Sequence, residues 1–593
     1  MTEFTRLSLL EIADAVLGGR RRAAEVAEQV LARVAAYEPI QPAVWITRVP
    51  AAEVLAAARE VDRRVAGGER LPLAGVPFAV KDNIDVAGLP TTAGCPAFAY
   101  VAQQTAPVVE RLLAAGAILI GKTNLDQFAT GLVGARSPYG ACGAVHNREY
   151  ISGGSSSGSA VCVAAGLAAF ALGTDTAGSG RVPAALNHLV GFKPSKGRWS
   201  TRGLVPACRT LDCITVFTST AAEALAVDNV VAAFDPLDPY SRRPGPQPPE
   251  PGARFRFGVP KEGQLNWLGD ACSPALFAAA VANLEAAGGE AVRVDITALR
   301  TAADLLYQGP WVAERTAAVE PLLRERPAAM HPTVRAILQG GLALTAVDAF
   351  RAEYALRDLA RQAETLWEAV DVLLLPTAAT TYRVREVLAE PFALNANLGL
   401  YTNFVNLLDM SAVAVPAGFR PNATGFGVSL IGPAWADEAL LGLARRYEET
   451  ASMPDAPPVD TTGVVSHVRL AVVGAHLAAM PLHWQLTSRD ARLVRRCRTA
   501  AAYRLYAMAN TTPPKPALVH VGQGGAAIEV EVYELDVAAF GSFVAEVPAP
   551  LAIGSVTLDD GSEVKGFVAE PRAIDGAEDI THLGGWRAYI ASR

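Results

Sequence analysis

The chain has 593 residues, 51% of them hydrophobic and 19% charged. That is too long for one hydrophobic core and has the composition of a globular enzyme, so at least two domains are expected. A net charge of −7 without a basic tract gives no electrostatic reason to expect nucleic-acid binding. The N-terminus lacks a signal-peptide layout, and the apolar run from Ala160 to Gly173 is too short to span a bilayer. The seven cysteines are odd in number, scattered and without a CxxC pair, as in reduced thiols of a cytoplasmic protein.

In chain order, the Leu and Ile spacing of TRLSLLEIADAVLGG predicts an amphipathic helix. Beyond it, AGVPFAV reads as a strand, APVVERLLAAGA as a helix and ILIGKTN as a strand. This alternation predicts an α/β sheet with parallel pairing. The run AVCVAAGLAAFAL reads as a buried helix, with Cys162 as a packing residue. FDPLDPYSRRPGPQPPEPGAR is Pro-rich and polar, so it is neither helix interior nor central strand. DVLLLPTAA and SAVAVPAGF read as later buried strands of the same domain.

A composition shift at SMPDAPPVDTTG marks the linker. We expect domains at 1–451 and 466–593 with a linker at 452–465. Beyond it come the short strands VRLAVVG, ALVHV, AAIEVEVYEL, SVTLDD and KGFVAE, the pattern of a small α+β domain.

The chemistry-bearing pattern has three parts. Lys81 ends an apolar strand in GVPFAVKDN; Ser155 lies in GGSSSGS; Ser179 lies in TDTAGSGR. A serine hydroxyl is a weak nucleophile and needs a base. Lysine serves only if burial lowers its pKa, and a second serine can relay the proton. Glycines beside the nucleophile let backbone N–H groups approach a developing oxyanion. Each Gly/Ser cluster alone reads as a turn. GGSSSGS is not a phosphate loop, because no Gly-Lys-Ser/Thr follows.

Together these motifs resemble the amidase signature family. The resemblance implies Ser179 as nucleophile, Ser155 as bridging serine and Lys81 as base, with a serine offset of 24 residues. It implies oxyanion donors at Thr176, Ala177 and Gly178, with the Ser179 amide beside them, and a cis peptide before Ser155. Asp175 and Arg181 read as a structural pair supporting the turn. AGSGR, YQGPWVAER and YTNFVNLLDMSAVAVPAGF further resemble the allophanate hydrolase branch of that family. That branch implies allophanate as substrate, with Tyr307 and Arg315 binding its carboxylate. In one unbroken helix those two would stand about 12 Å apart along the axis, but Gly309-Pro310 interrupts the pattern. Gln127 and Asn124 are amide contacts or loop caps.

The resemblance also implies a mixed central sheet flanked by helices, and a C-terminal domain resembling the γ-glutamylcyclotransferase-like fold. That domain would promote decarboxylation of N-carboxycarbamate. His476 in VVGAHLAAMPLHWQL is its catalytic candidate, His483 the rival and Glu534 a weaker acid partner. No metal-ligand spacing occurs, so no metal or other cofactor is expected. The chain shows no biotin-carrier segment of its own, so a separate biotin-dependent urea carboxylase is expected to supply the substrate in urea or cyanurate nitrogen catabolism. No membrane or nucleic-acid partner is expected. A homodimer is expected, although the sequence carries no direct signal for it. The rival readings are an amidase for another small amide, a glutamyl-tRNA amidotransferase A-type subunit, or a binding protein on an amidase scaffold. The last would predict loss of the lysine or a serine, and all three are present.

Overall fold

The computed structural model describes residues 4–451, 454–462 and 467–593. Residues 452, 453 and 463–465 of the expected linker, and residue 466 after it, lie outside the described residues. The chain divides into two compact units, Met1–Thr461 and Thr462–Arg593. Residues 454–461 therefore belong to the first unit: the Asp460 amide donates to Val145 O at 2.8 Å, and its carboxylate accepts the Arg148 amide at 2.8 Å.

The first unit is built on an eleven-stranded mixed sheet. Its order runs from Trp45–Arg48 through Ile118–Thr123, Pro77–Lys81, Phe170–Asp175, Cys213–Thr218, Val190–Lys193, Ser411–Phe419, Gly425–Gly432, Val372–Pro376 and Phe255–Pro260 to Gly289–Val294. Pro77–Lys81 pairs in parallel with both Ile118–Thr123 and Phe170–Asp175, and all three strands are buried throughout. Burial on both faces explains why they read as continuous apolar runs.

The expected elements fall largely into place. Helix Leu9–Leu17 starts at Ser8, whose hydroxyl accepts the Glu11 amide, and buries Leu9, Ile12, Ala13 and Val16. Pro107–Ala114 is a helix with proline at its start. The Pro-rich stretch after Phe234 forms neither helix nor strand. One expectation is corrected: the run AVCVAAGLAAFAL is not one helix. The helix covers Ser157–Ala164 and stops at Gly166, φ +65°, where the Leu167 amide returns to Cys162 O at 2.9 Å. This left-handed turn is a glycine helix stop. Phe170 then starts the strand that ends at Asp175. Among the described residues no helix is long and apolar enough to cross a membrane.

The second unit has a five-stranded sheet, ordered Arg492–Arg498, Glu529–Asp536, His467–Val472, Glu563–Ala569 and Leu551–Thr557. A three-stranded sheet, Pro516–His520, Tyr503–Ala507 and Glu578–Asp579, accompanies it. Leu470, Leu505, Val530, Val532 and Trp586 are fully or almost fully buried in its core.

Candidate active site

The parallel pairing of Pro77–Lys81 with Phe170–Asp175 brings their carboxyl ends together. Open parallel sheets bind ligands beyond the carboxyl ends of strands. Lys81 is fully buried there, and its Nζ donates to Ser155 Oγ and Thr174 Oγ1, each at 2.7 Å. Burial lowers the Lys81 pKa from its ordinary value to about 7, against the opposing pull of Asp126, Asp212 and Asp175. A lysine near 7 can take up a proton at neutral pH.

Ser155 follows a cis peptide bond from Gly154. The Ser155 carbonyl accepts the Asp126 amide at 3.0 Å, and the Asp126 carboxylate in turn accepts the amides of Val133, Gly134 and Arg136. A side chain at Gly154 would collide with Asp126 Oδ2, 2.2 Å from an ideal Cβ, so the glycine permits this seat. Ser156 clamps the neighbouring strand, exchanging hydrogen bonds with the Thr174 amide and carbonyl at 3.2 Å.

Ser179 lies in the turn between strand Phe170–Asp175 and helix Val182–Leu186, almost fully buried. The turn is held by Asp175, whose carboxylate accepts the amides of Gly178 at 2.8 Å and Gly180 at 3.0 Å. Arg181 meets the same carboxylate with two bonds of 2.9 Å, and both side chains are fully buried. Burial pushes the Asp175 carboxyl up, but Arg181 outweighs it and holds the group below the usual range. Asp175 and Arg181 are thus the frame of the turn.

The Gly178 amide is already engaged by Asp175. The amides of Thr176, Ala177 and Ser179 make no hydrogen bond among the described residues, although all three residues are about 2% exposed. Buried N–H groups are rarely left unpaired, so this turn presents donors to something that is not protein. Gly178 has φ +137°, and a Cβ there would lie 2.4 Å from Thr402 Oγ1.

Arg315 and Tyr307 come together. Helix Thr297–Gln308 ends before Gly309, and a new helix, Trp311–Glu325, starts after Pro310. The Arg315 guanidinium carbon lies 5.2 Å from the Tyr307 ring centre. Arg315 is buried; its Nη1 donates to Thr130 Oγ1 at 3.5 Å, while Nε and Nη2 have no partner. Burying guanidinium N–H groups without hydrogen-bond acceptors is costly, so this position has donors to offer an acceptor. Tyr307 also lines a cavity of about 440 Å³ with Arg136, Gly309, Val312 and Asn395. The Arg315–Tyr307 pair joins the nucleophile turn through packing and charge. Ala177, Trp311 and Cys208 share one apolar cluster against which Tyr307 packs. Asp212 accepts from the Thr176 hydroxyl and acts electrostatically on both Lys81 and Arg315.

Gln127 and Asn124 are committed elsewhere. Gln127 donates to Gly94 O at 2.9 Å and accepts the His331 amide at 2.7 Å. Asn124 donates to Ala43 O and Gly140 O and accepts from the Leu125 amide and the Ser137 hydroxyl. Both side chains brace loops. Sequence reasoning missed Thr174, Asp126 and Asp212. Thr174 stands one residue before Asp175 on the strand adjoining that of Lys81, a position the strand pairing would have exposed; the two aspartates carry no motif.

In the second unit, His476 Nε2 contacts Gln485 Oε1 at 2.7 Å, and its ring stacks on Phe567 with centres 5.0 Å apart. His483 Nε2 instead meets the Tyr533 hydroxyl at 3.0 Å. Glu534 pairs with Arg492 at 2.6 Å. The acid connected to His476 is Glu546, through Gln485.

Residues 25–441 match the Amidase family model, and residues 468–591 match the allophanate hydrolase C-terminal domain. Urea amidolyase of Saccharomyces cerevisiae is 44% identical over 550 residues, covering 88% of this chain and 30% of that protein. The chain thus spans about 30% of the length of the urea amidolyases it matches. The glutamyl-tRNA(Gln) amidotransferase A-type subunit of Deinococcus deserti is 36% identical over 484 residues, covering 75% of this chain and 96% of that protein. The solved structure of Kluyveromyces lactis allophanate hydrolase aligns with a TM-score of 0.69 at 41% identity, covering 97% of this chain and 98% of that one.

Proposed function

The chain belongs to the amidase family, is an amide hydrolase and carries an allophanate hydrolase C-terminal domain, and from that premise we propose that its substrate is allophanate. The observation that carries the choice of substrate is the buried Arg315 guanidinium, with Nε and Nη2 unpartnered. Allophanate brings a carboxylate to it, and Tyr307 flanks the same position.

Ser179 Oγ attacks the terminal amide carbonyl, and its proton passes through Ser155 to neutral Lys81. The 2.7 Å contact between Lys81 and Ser155 supports this relay. The unpaired amides of Thr176, Ala177 and Ser179 stabilise the oxyanion, while Gly178 contributes its bond to Asp175 and the backbone shape. The proton returns to the leaving nitrogen and ammonia departs. Water then hydrolyses the acyl-enzyme to N-carboxycarbamate. Gln127 acts one step back, by holding the segments at Gly94 and His331.

The second unit then promotes decarboxylation. N-Carboxycarbamate takes up one proton at nitrogen, releasing carbon dioxide and carbamate, with His476 as the central residue. On the family resemblance, a separate biotin-dependent urea carboxylase supplies the allophanate; the match to part of the urea amidolyases supports coupling to a further activity. A cytoplasmic homodimer is the form we propose, on the family resemblance; light scattering of the purified chain tests the assembly.

Ammonia release from allophanate, malonamate, biuret and glutamine, compared side by side, tests the substrate. Allophanate should have the highest kcat/KM, with malonamate next, because both carry a carboxylate. Preference for glutamine or for neutral biuret would overturn the assignment.

A further inference from the structure

A cavity of about 240 Å³ in the second unit is lined by His476, Gln485, Lys515, Glu546, Phe543 and Phe567. It is smaller than the roughly 300–1,000 Å³ of pockets for drug-sized ligands, so it suits a small molecule.

The hydrogen bonds fix which ring nitrogen of its histidine donates to Gln485. The Glu546 carboxylate can only accept, so Gln485 turns its amide nitrogen to it, at 3.2 Å. Gln485 Oε1 therefore faces His476 Nε2, at 2.7 Å, and that ring nitrogen carries the hydrogen. Burial lowers the His476 pKa against the opposing hydrogen bond to Gln485, and Lys515 and His483 add to the lowering. Glu546 is neutralised by Arg489. Lys515 is half-buried on the same wall, and its ammonium has no hydrogen-bond or ion-pair partner among the described residues. The cavity wall thus presents an imidazole, a carboxylate already paired with Arg489, and an ammonium without a partner among the described residues. Phe543 and Phe567 supply apolar wall beside these polar groups.

We propose that Lys515 is the anion-binding residue of this cavity, holding a carboxylate of a small dianion beside the imidazole of His476. The assignment rests on the reading above that the second unit receives N-carboxycarbamate, whose two carboxylates such a site would recognise. Gln485 and Glu546 are positioning residues: they set which imidazole nitrogen donates and how the ring is oriented.

The test uses the full chain supplied with ¹³C-labelled allophanate, following N-carboxycarbamate by NMR once allophanate is exhausted. Malonate, a stable dianion with CH2 in place of NH, is the binding probe. Lys515→Met should prolong the intermediate about tenfold or more, the loss of one charge-assisted contact. Malonate should slow its disappearance in the intact chain and not in the variant. Lys515→Arg should retain most of the effect of lysine. Lys515→Gln, polar and of similar length, should behave as methionine does, so a folding defect in one variant does not decide the result. Intermediate lifetime and malonate sensitivity like those of the intact chain in both neutral variants would overturn the assignment. His476→Ala separates the two levels. If it prolongs the intermediate and the Lys515 variants do not, the lysine assignment alone falls. If neither does, the role of the second unit falls as well.

Discussion

Arg315 and Tyr307 meet across a helix break, with the guanidinium carbon 5.2 Å from the ring centre. Gly309 and Pro310 end one helix and start the next, folding back positions that a continuous helix would hold apart. The pair supplies a buried cation whose Nε and Nη2 await a partner.

Arg315→Ala should therefore cost about 2–4 kcal/mol of transition-state stabilisation with carboxylate-bearing amides. Neutral small amides should lose much less. Steady-state kcat/KM for allophanate and for a neutral amide checks this. Equal losses on both would assign Arg315 a structural role.

Activity should rise with pH through about 7, where the buried Lys81 loses its proton. Below that value the lysine is cationic and cannot accept from Ser155, so kcat/KM should fall about tenfold per pH unit. Asp212 pulls the Lys81 pKa upward. Asp212→Asn should consequently move the acid limb to lower pH. A profile flat from pH 5 to 8 would contradict the lysine as base.

Gly178→Ala should abolish most ammonia release. The residue has φ +137°, and the added Cβ would meet Thr402 Oγ1 at 2.4 Å. Relief requires the nucleophile turn to move, at roughly 2 kcal/mol or more. Thr402→Ser removes a methyl group but keeps the hydroxyl, and should not restore activity; Thr402→Gly removes the obstruction and should restore part of it. Full activity in Gly178→Ala would show that this turn tolerates displacement.

A chain ended after Thr461 should fold and release ammonia, then leave N-carboxycarbamate to decay unaided. The cut follows Asp460, which is tied to Val145 and Arg148; an earlier end near Pro457 would remove those bonds. A folded but inactive truncation would show that the first step depends on the second unit.

Legibility in the sequence followed locality. Buried strands such as Pro77–Lys81 and Val372–Pro376 were readable as apolar runs, and the helix break at Gly309-Pro310 as punctuation. The run after Ser157 misled because alanine and small apolar residues suit both helix and fully buried strand; Gly166 divided them. Lys81, Ser155 and Ser179 stood out through their glycine and hydroxyl surroundings. Thr174, Asp126 and Asp212 did not, because their roles depend on which strands and loops become neighbours in space. Spacing alone also could not show that the Gly178 amide is occupied by Asp175, or that Gln127 is committed to backbone.

The central claim is that Ser179 attacks the amide and Lys81, through Ser155, takes its proton. Its most direct measurement is the rate of ammonia release from allophanate by folded Ser179→Ala, beside Lys81→Ala and the intact chain. The account predicts no release above background for Ser179→Ala and a nearly equal loss for Lys81→Ala. Robust turnover by folded Ser179→Ala would contradict it.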